Sequence, residues 1–271
     1  MSLKLTTAAA PILALAAFSL FLVMRHASSQ NAGADPNLPM RPVVVELFTS
    51  EGCSSCPAAD ALLAKLDREE RVGNAEIIAL EEHVDYWDHL GWRDPFSSAQ
   101  WTERQQDYAA SFRSDGVYTP QMVVDGRAEF IGSSPSRART AITEAVREPK
   151  AEVTVLNRAA ANGKIEVSIT VRMSQALDAQ KGQVWLAVTE RGLHSNVARG
   201  ENAGEDLHHA AVVRSLRKVG EAALNQESAY SGQQDVQIDA AWKKENLRVV
   251  AFVQDARTRH ILGAASVQVA P

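Results

Sequence analysis

The chain has only two cysteines among its 271 residues, and both stand in one short stretch, Cys53-Ser54-Ser55-Cys56. Whatever thiol, disulfide or thiolate-metal chemistry the protein has is confined to that pair. Basic charge is also short: 28 Lys and Arg stand against 33 Asp and Glu, a formal charge of −5. That balance leaves no basic footprint for nucleic acid. Low-complexity and extended disordered tracts are missing outside the N-terminal leader and its linker. The apolar content of 45% is that of an ordinary folded protein.

At this length, a leader followed by two domains is the expected organisation. Lys4 precedes an uncharged, largely apolar run from Ala8 to Met24, closed by Arg25 and His26. Residues 1–34 read as a signal peptide or an uncleaved signal anchor, with Ala32-Gly33-Ala34 as an A-x-A-like cleavage site. That site lies about ten residues past the apolar core, further than such sites usually fall, which keeps the anchor open as an alternative. Either way the bulk of the chain is expected to be exported, periplasmic or secreted. There a disulfide can persist. Residues 35–41 read as a linker.

Val43, Val44, Val45, Leu47 and Phe48 form an apolar run that reads as a buried strand, which the segment Thr49-Ser50-Glu51-Gly52 breaks. Cys53 and Cys56 then open a helix whose first turn accepts Pro57. At this spacing two cysteines can close a small disulfide ring, and the helix N-terminus favours a thiolate on the first. Cys53 is therefore the candidate nucleophile and Cys56 the candidate resolving partner. An inert disulfide, or a metal ion held by both sulfurs, remains an alternative.

The run VELFTSEGCSSCP resembles the active-site segment of the thioredoxin superfamily, in the glutaredoxin style rather than that of WCGPC. The first half of the chain is also similar to a family of exported bacterial proteins with a thioredoxin-like domain. The resemblance spans roughly Pro42 to Glu148 and implies an α/β thioredoxin-like domain over 42–149, carrying a helical insertion. A helix after the CxxC (Ala59, Leu62, Leu63, Leu66), a strand at Ile77–Leu80 and a helix beginning near Ser97 are expected in that order. Next come Val117-Tyr118-Thr119-Pro120, a strand at Gln121–Val124, the turn Asp125-Gly126, a strand at Ala128–Ile131 and a helix over Ser136–Arg147. The resemblance implies that the Thr119–Pro120 bond is cis and that both residues present backbone to a substrate beside the CxxC.

Ligands of α/β sheets gather at the carboxyl ends of parallel strands. The segment after Leu80, EEHVDYWDHLGWRDP, therefore places His83, Asp85, Tyr86 and Trp87 as candidates near Cys53. Trp87 is a candidate substrate contact, and His83 and Asp85 are candidate proton carriers, against the plainer reading of packing aromatics and solvated acids. Glu46 sits one residue away from the buried acid of thioredoxins, and strand alternation decides whether it faces the cysteines or the opposite side. His83, Asp85, Asp88 and His89 lack the regular pairing of a helical zinc site, and no metal is assigned.

From Ala151 the periodicity changes to two. Glu152–Leu156, Ile165–Met173, Val184–Thr189, Ala210–Leu216, Val236–Ile238, Leu247–Gln254 and Ile261–Val269 read as strands, with Asn162-Gly163 as a hairpin signal. Together they suggest a mostly β, sandwich-like C-terminal domain over 150–271, without a catalytic motif. The loop RGLHSNVARGENAGEDLHH, Arg191 to His209, is long and polar. It reads as a surface loop, as a cover for the CxxC, or as a source of metal ligands in His194, His208 and His209. Adjacent His208 and His209 on a strand would point to opposite faces.

These readings converge on an exported thiol–disulfide oxidoreductase that needs no cofactor. Its partner would be a thiol or disulfide substrate, a protein or a small molecule, and it would touch a membrane only through an uncleaved anchor. A copper-binding chaperone resembling the thioredoxin-like copper carriers is an alternative, although no histidine lies between His89 and His194. A non-enzymatic envelope module with a static disulfide is another.

Overall fold

A computed structural model of the chain describes residues 39–270, apart from 176 and 178, together with residue 2. The leader and most of the linker read from the sequence lie outside the described residues. Among the described residues, no helix is long and apolar enough to cross a membrane.

The first half contains β1 (Arg41–Thr49), α1 (Pro57–Glu69), β2 (Arg71–Val72), β3 (Ala75–His83), α2 (Ala99–Phe112), β4 (Gln121–Val124), β5 (Ala128–Ile131) and α3 (Pro135–Ala145). The second contains β6 (Glu152–Ala159), β7 (Lys164–Arg172), β8 (Lys181–Glu190), β9 (Leu193–Asn196), β10 (Asp206–His209) and β11 (Val212–Ala223). It ends with β12 (Ser228–Gln237), β13 (Leu247–Gln254) and β14 (Ile261–Gln268). Strands from both halves join in one nine-stranded mixed sheet of order β14-β13-β8-β11-β3-β1-β4-β5, with β2 added beside β3. A separate sheet of order β12-β7-β6 and a β9–β10 ribbon complete the strands among the described residues.

This arrangement corrects the expected fold class. The α/β thioredoxin-like domain with a helical insertion, followed by a sandwich, gives way to a mostly β structure with a large mixed sheet. The join is made at β3, which is parallel to β1 along its whole length and meets β11 through Val212 opposite Glu81. There the Glu81 N–H donates to the Ala211 carbonyl at 2.9 Å. A strand apolar on both faces cannot leave its outer edge bare, because unpaired backbone groups invite non-native pairing and cost free energy when buried. β2 takes the start of that edge and β11 meets it near the end, then continues antiparallel to β8.

Side-chain alternation divides the core between the two faces of the large sheet. On one face Val44, Phe48, Ile78, Leu80, Ala187, Val250 and Phe252 pack with Trp101 and Tyr108 of α2. On the other, Val43, Val45, Leu47, Ile77 and Ala79 pack against Leu63 and Leu66 of α1 and Ile142 of α3. Further along that same face, Val184, Leu186, Val188, Val249 and Ala251 pack on Ile165, Val167, Ile169 and Val171 of the three-stranded sheet. Fully burying a side chain of this size stabilises the fold by about 1.5–3 kcal/mol. The α2 face also carries a buried ion pair, in which Arg104 Nε donates to Glu46 Oε1 at 2.8 Å and Tyr108 Oη donates to the other carboxylate oxygen.

Two turns set the register near the site. Asp125 and Gly126 both take positive φ, 49° and 62°, in the loop between β4 and β5. Val124 pairs with Ala128, so the turn spans three residues rather than the two expected from Asp-Gly alone. Asp125 then reaches back: its Oδ1 accepts from the Val44 N–H at 2.9 Å, and its Oδ2 accepts from Lys150.

Candidate functional site

The apolar run of β1 ends where Thr49, Ser50, Glu51 and Gly52 turn the chain, and Cys53 and Cys56 are bonded at the mouth of α1. Helix α1 begins with Cys56 as N-cap and Pro57 in the first turn, so Pro costs no helical hydrogen bond. Both cysteines are 0% exposed, whereas Ser54 and Ser55 between them face solvent. The cover comes from the far half of the chain. Asn202 Nδ2 donates to the carbonyls of Glu51 and Cys53 at 2.8 and 3.1 Å, and the Ser54 N–H donates to Glu201 Oε2 at 3.0 Å. The β9–β10 ribbon carries this loop, which closes on itself between Val197 and Glu205. The long polar loop of the sequence is therefore, in part, a cover over the CxxC.

Thr119 and Pro120 precede β4, and the bond between them is cis. Trp87 joins this corner to the cysteine turn: its Nε1 donates to Thr119 Oγ1 at 2.9 Å, and its Cβ lies beside Gly52. Three of the sequence candidates, Thr119, Pro120 and Trp87, thus gather near Cys53. Asp85 does not join them, because its Oδ1 accepts from Thr102 Oγ1 at 2.6 Å and so ties the chain to α2. Glu46 does not either. It alternates with Val45 and Leu47 and lies on the α2 face, bonded to Arg104 and Tyr108, with the sheet between it and α1.

His83 is fully buried in a group of ionisable side chains at the carboxyl ends of β1 and β3, on the α1 face. Glu81 and His83, two apart on β3, point the same way, and β10 delivers His209 to them. Glu81 Oε1 lies 2.9 Å from His209 Nδ1 and 3.7 Å from His83 Nε2. Each histidine is held on its other nitrogen by a carboxylate: His83 Nδ1 by Asp94 Oδ2 at 2.7 Å, and His209 Nε2 by Glu51 Oε1 at 3.0 Å. Glu51 is further fixed by Trp92 Nε1, which donates to its Oε2 at 2.8 Å, and by its own N–H, which donates to Asp94 Oδ2. Phe96 stands edge-on to both imidazoles, with ring centroids 5.4 Å apart in each case.

The electrostatics follow from burial opposed by pairing. Burial favours neutral His209, but the Glu81 charge and the bonds to Glu51 and Glu81 outweigh it and raise its pKa to about 9. His83 is likewise raised, against burial, by Asp94 first and then Glu81. Glu81 is held well below the usual carboxylate range, since His209 and His83 overcome its own burial. Asp60, on α1 one turn beyond Cys56, goes the other way: burial and the Glu81 charge raise it to about 7. Its Oδ1 accepts from Thr49 Oγ1 at 2.6 Å, and its N–H donates to the Cys56 carbonyl at 3.1 Å.

A family model described as "Protein of unknown function (DUF1223)" matches residues 44–254. The chain belongs to this family. The DUF1223 match runs from β1 to β13 and so covers the strands of the large sheet from both halves except β14. It overturns the assignment to the thioredoxin superfamily, and with it the thioredoxin-like label for the first half; the CxxC and its flanking strand and helix were too local to carry that assignment. Protein AGR_C_4864 from Agrobacterium tumefaciens is similar over 85% of this chain and 95% of its own, at 27% identity and a TM-score of 0.63. HBP35 of Porphyromonas gingivalis is similar in fold over 86% of this chain and 76% of its own, at 17% identity and a TM-score of 0.66. No curated protein matches the chain.

Sequence reasoning missed Glu51, Asp60, Glu81, Asp94 and Asn202 as members of the site, and it named His209 only within the long loop. One signal was available. Charged residues at alternate positions, Glu81 and His83, end an otherwise apolar strand, so they had to share a face and find partners there. Of the histidines weighed as metal ligands, His194 and His208 are exposed and stack on each other with ring centroids 5.5 Å apart. His89 lies in a short turn outside the cluster.

Proposed function

We propose that this protein carries out thiol–disulfide exchange through the Cys53–Cys56 pair, in the oxidising compartment to which its leader would direct it. The observation that supports this best is the buried acid–imidazole group next to the pair, with Asp60 raised to about 7. Burying several charges costs free energy that a purely structural disulfide does not require, and strongly shifted groups concentrate at reactive sites.

Starting from the disulfide, a substrate thiolate attacks the Cys53 sulfur. The Cys53–Cys56 bond breaks, and its electron pair leaves on the Cys56 sulfur, which takes up a proton. A second substrate thiolate then attacks the mixed disulfide and expels Cys53 as thiolate. The substrate dithiol is oxidised to a disulfide, and the protein pair gains two electrons and, once the Cys53 thiolate is protonated in turn, two protons; the reverse sequence reduces a substrate disulfide. Asp60 is the neighbouring acid whose titration falls in the range where thiols exchange protons. The loop bearing Asn202 must move aside for a substrate to reach Cys53, because both sulfurs are covered.

That coverage also supports a second reading, a static disulfide. One experiment separates the two: equilibrate the protein in glutathione or dithiothreitol buffers, trap free thiols, and measure both potential and rate. A potential in the range of dithiol oxidoreductases, with exchange abolished in Cys53→Ser, supports the redox reading. A pair that stays oxidised far below about −300 mV and exchanges slowly supports the static one.

A further inference from the structure

We propose that Glu81, His83 and His209 form a binding site for one divalent transition-metal ion of the zinc type, distinct from the cysteine pair. These three residues each offer a ligand atom within 4.8 Å of the others, and all are buried. Two imidazoles and a carboxylate are a donor set for zinc and its borderline neighbours.

The inward-facing atoms can be named from the hydrogen bonds. Asp94 accepts from His83 Nδ1–H at 2.7 Å, which makes Nε2 the nitrogen that faces a ligand, its proton released when an ion binds. That Nε2 is fully buried, has no hydrogen-bond partner among the described residues, and lies 3.7 Å from Glu81 Oε1. A buried imidazole nitrogen left bare is costly, and it is aimed at the carboxylate that would share an ion with it. Glu51 takes His209 Nε2 in the same way, which turns Nδ1 toward Glu81 Oε1 at 2.9 Å. Both imidazoles thus carry a carboxylate on the far nitrogen, the arrangement that fixes tautomer and ring orientation in metal-ligating histidines. Glu81 is oriented too. Its Oε2 accepts the N–H groups of Ala210 and Ala211 at 2.8 and 3.4 Å, so Oε1 is the oxygen left to face the nitrogens.

Spacing agrees with this chemistry. Ligand bonds near 2.0–2.1 Å place two donors on one zinc roughly 3.3 Å apart at the tetrahedral angle and at most about 4.2 Å apart. The 3.7 Å gap between Glu81 and His83 already lies in that range, and the 2.9 Å gap to His209 needs only a few tenths of an ångström of opening. The three protein ligands leave one position of a tetrahedral ion for water or a substrate atom. The cysteines are not part of the set, so the site stands whether or not the pair exchanges electrons.

The test uses the full-length protein with its disulfide intact, stripped with a chelator and titrated with zinc ion against a chromophoric competitor. One equivalent is expected to bind with the cysteines still oxidised, and X-ray absorption of the zinc-loaded wild type should show a nitrogen and oxygen shell without sulfur. Asp94→Asn, which replaces the carboxylate that orients His83 and also accepts the Glu51 N–H, should weaken binding about 10- to 100-fold. His83→Gln should abolish it, and His194→Ala with His208→Ala should leave it unchanged. Failure of the oxidised wild type to bind one equivalent, sulfur in the metal shell, or loss of binding in the His194/His208 variant would each overturn the proposal. Because the absorption measurement is made on the wild type, it decides the matter even if His83→Gln does not fold.

Discussion

Replacing Asp60 with Asn should flatten the acid side of the stability profile. Asp60 has an ordinary value near 3.8 in the unfolded chain and about 7 in the folded one, raised by burial and then by the Glu81 charge. Between roughly pH 4 and pH 7 the folded state therefore binds a proton that the unfolded state has released. Stability from this group is fully present below pH 4 and is lost as pH rises through 7. About three pH units at 1.36 kcal/mol each give a loss on the order of 4 kcal/mol. Asn keeps the shape of the protonated carboxyl and can still accept from Thr49 Oγ1, but it does not ionise. The variant should match the wild type within about 1 kcal/mol at pH 4 and exceed it by several kcal/mol at pH 8.

The assay is urea unfolding of chelator-treated protein at half-unit steps from pH 4 to pH 8. His83 and His209 change their own contribution above pH 6.5, but they do so in both proteins, so the wild-type-minus-variant difference cancels them to first order. A difference that stays constant across the range would refute the argument. It would mean that Asp60 is ionised throughout and that water or a cation satisfies it.

Three further outcomes follow from the same geometry. Asn202→Ala removes both side-chain hydrogen bonds that fasten the loop to the Glu51 and Cys53 carbonyls; at about 1 kcal/mol each, reduction of the disulfide by dithiothreitol should accelerate roughly 10- to 30-fold. An unchanged rate would show that the loop is not what protects the sulfurs. Arg104→Met strands Glu46 beneath α2 without its cation and should cost about 3–5 kcal/mol in chemical denaturation, while adding Glu46→Gln should recover part of the loss. Gly126→Ala places a methyl 1.9 Å from the Arg259 carbonyl oxygen at φ 62°, whereas Gly73→Ala at the same φ meets nothing within 4 Å. The first should destabilise by at least about 2 kcal/mol more than the second in thermal melts, since both share the backbone cost and only one adds the clash.

Local signals in the sequence located several elements well. The apolar run before Cys53 became β1, Leu247–Gln254 became β13 to the residue, and the alternating segments from Glu152 onward became β6 and β8, both longer than expected, and β7, shifted by one residue. The helix expected to begin near Ser97 is α2, for which Ser98 is the N-cap and accepts from the Gln100 N–H. The short β9 and β10 were missed, because Leu193–Asn196 and Asp206–His209 are polar four-residue strands whose burial pattern is too brief to stand out. What the CxxC suggested about family was misleading because strand, cysteine pair and helix are fixed by some fifteen residues. The sheet that contains them is fixed by the edge that β3 presents to β11.

That long-range pairing also explains why the site was only half legible. Cys53, Cys56, Trp87, Thr119 and Pro120 lie in or beside recognisable local motifs, and they come together. The ionisable group next to them depends on His209, which lies 128 residues beyond Glu81 and reaches it because β10 runs directly into the start of β11, where Val212 pairs with Glu81. Periodicity reports which face a side chain takes, not which distant strand will lie alongside. Glu81 and His83 were therefore readable as charges that must be compensated, while the identity of the compensating group was set by topology. The same step that merges the two halves of the chain into one sheet delivers Asn202 over the disulfide and His209 to Glu81. A substitution at the β3–β11 junction, such as Val212→Pro, should therefore disturb the cover and the acid–imidazole group together.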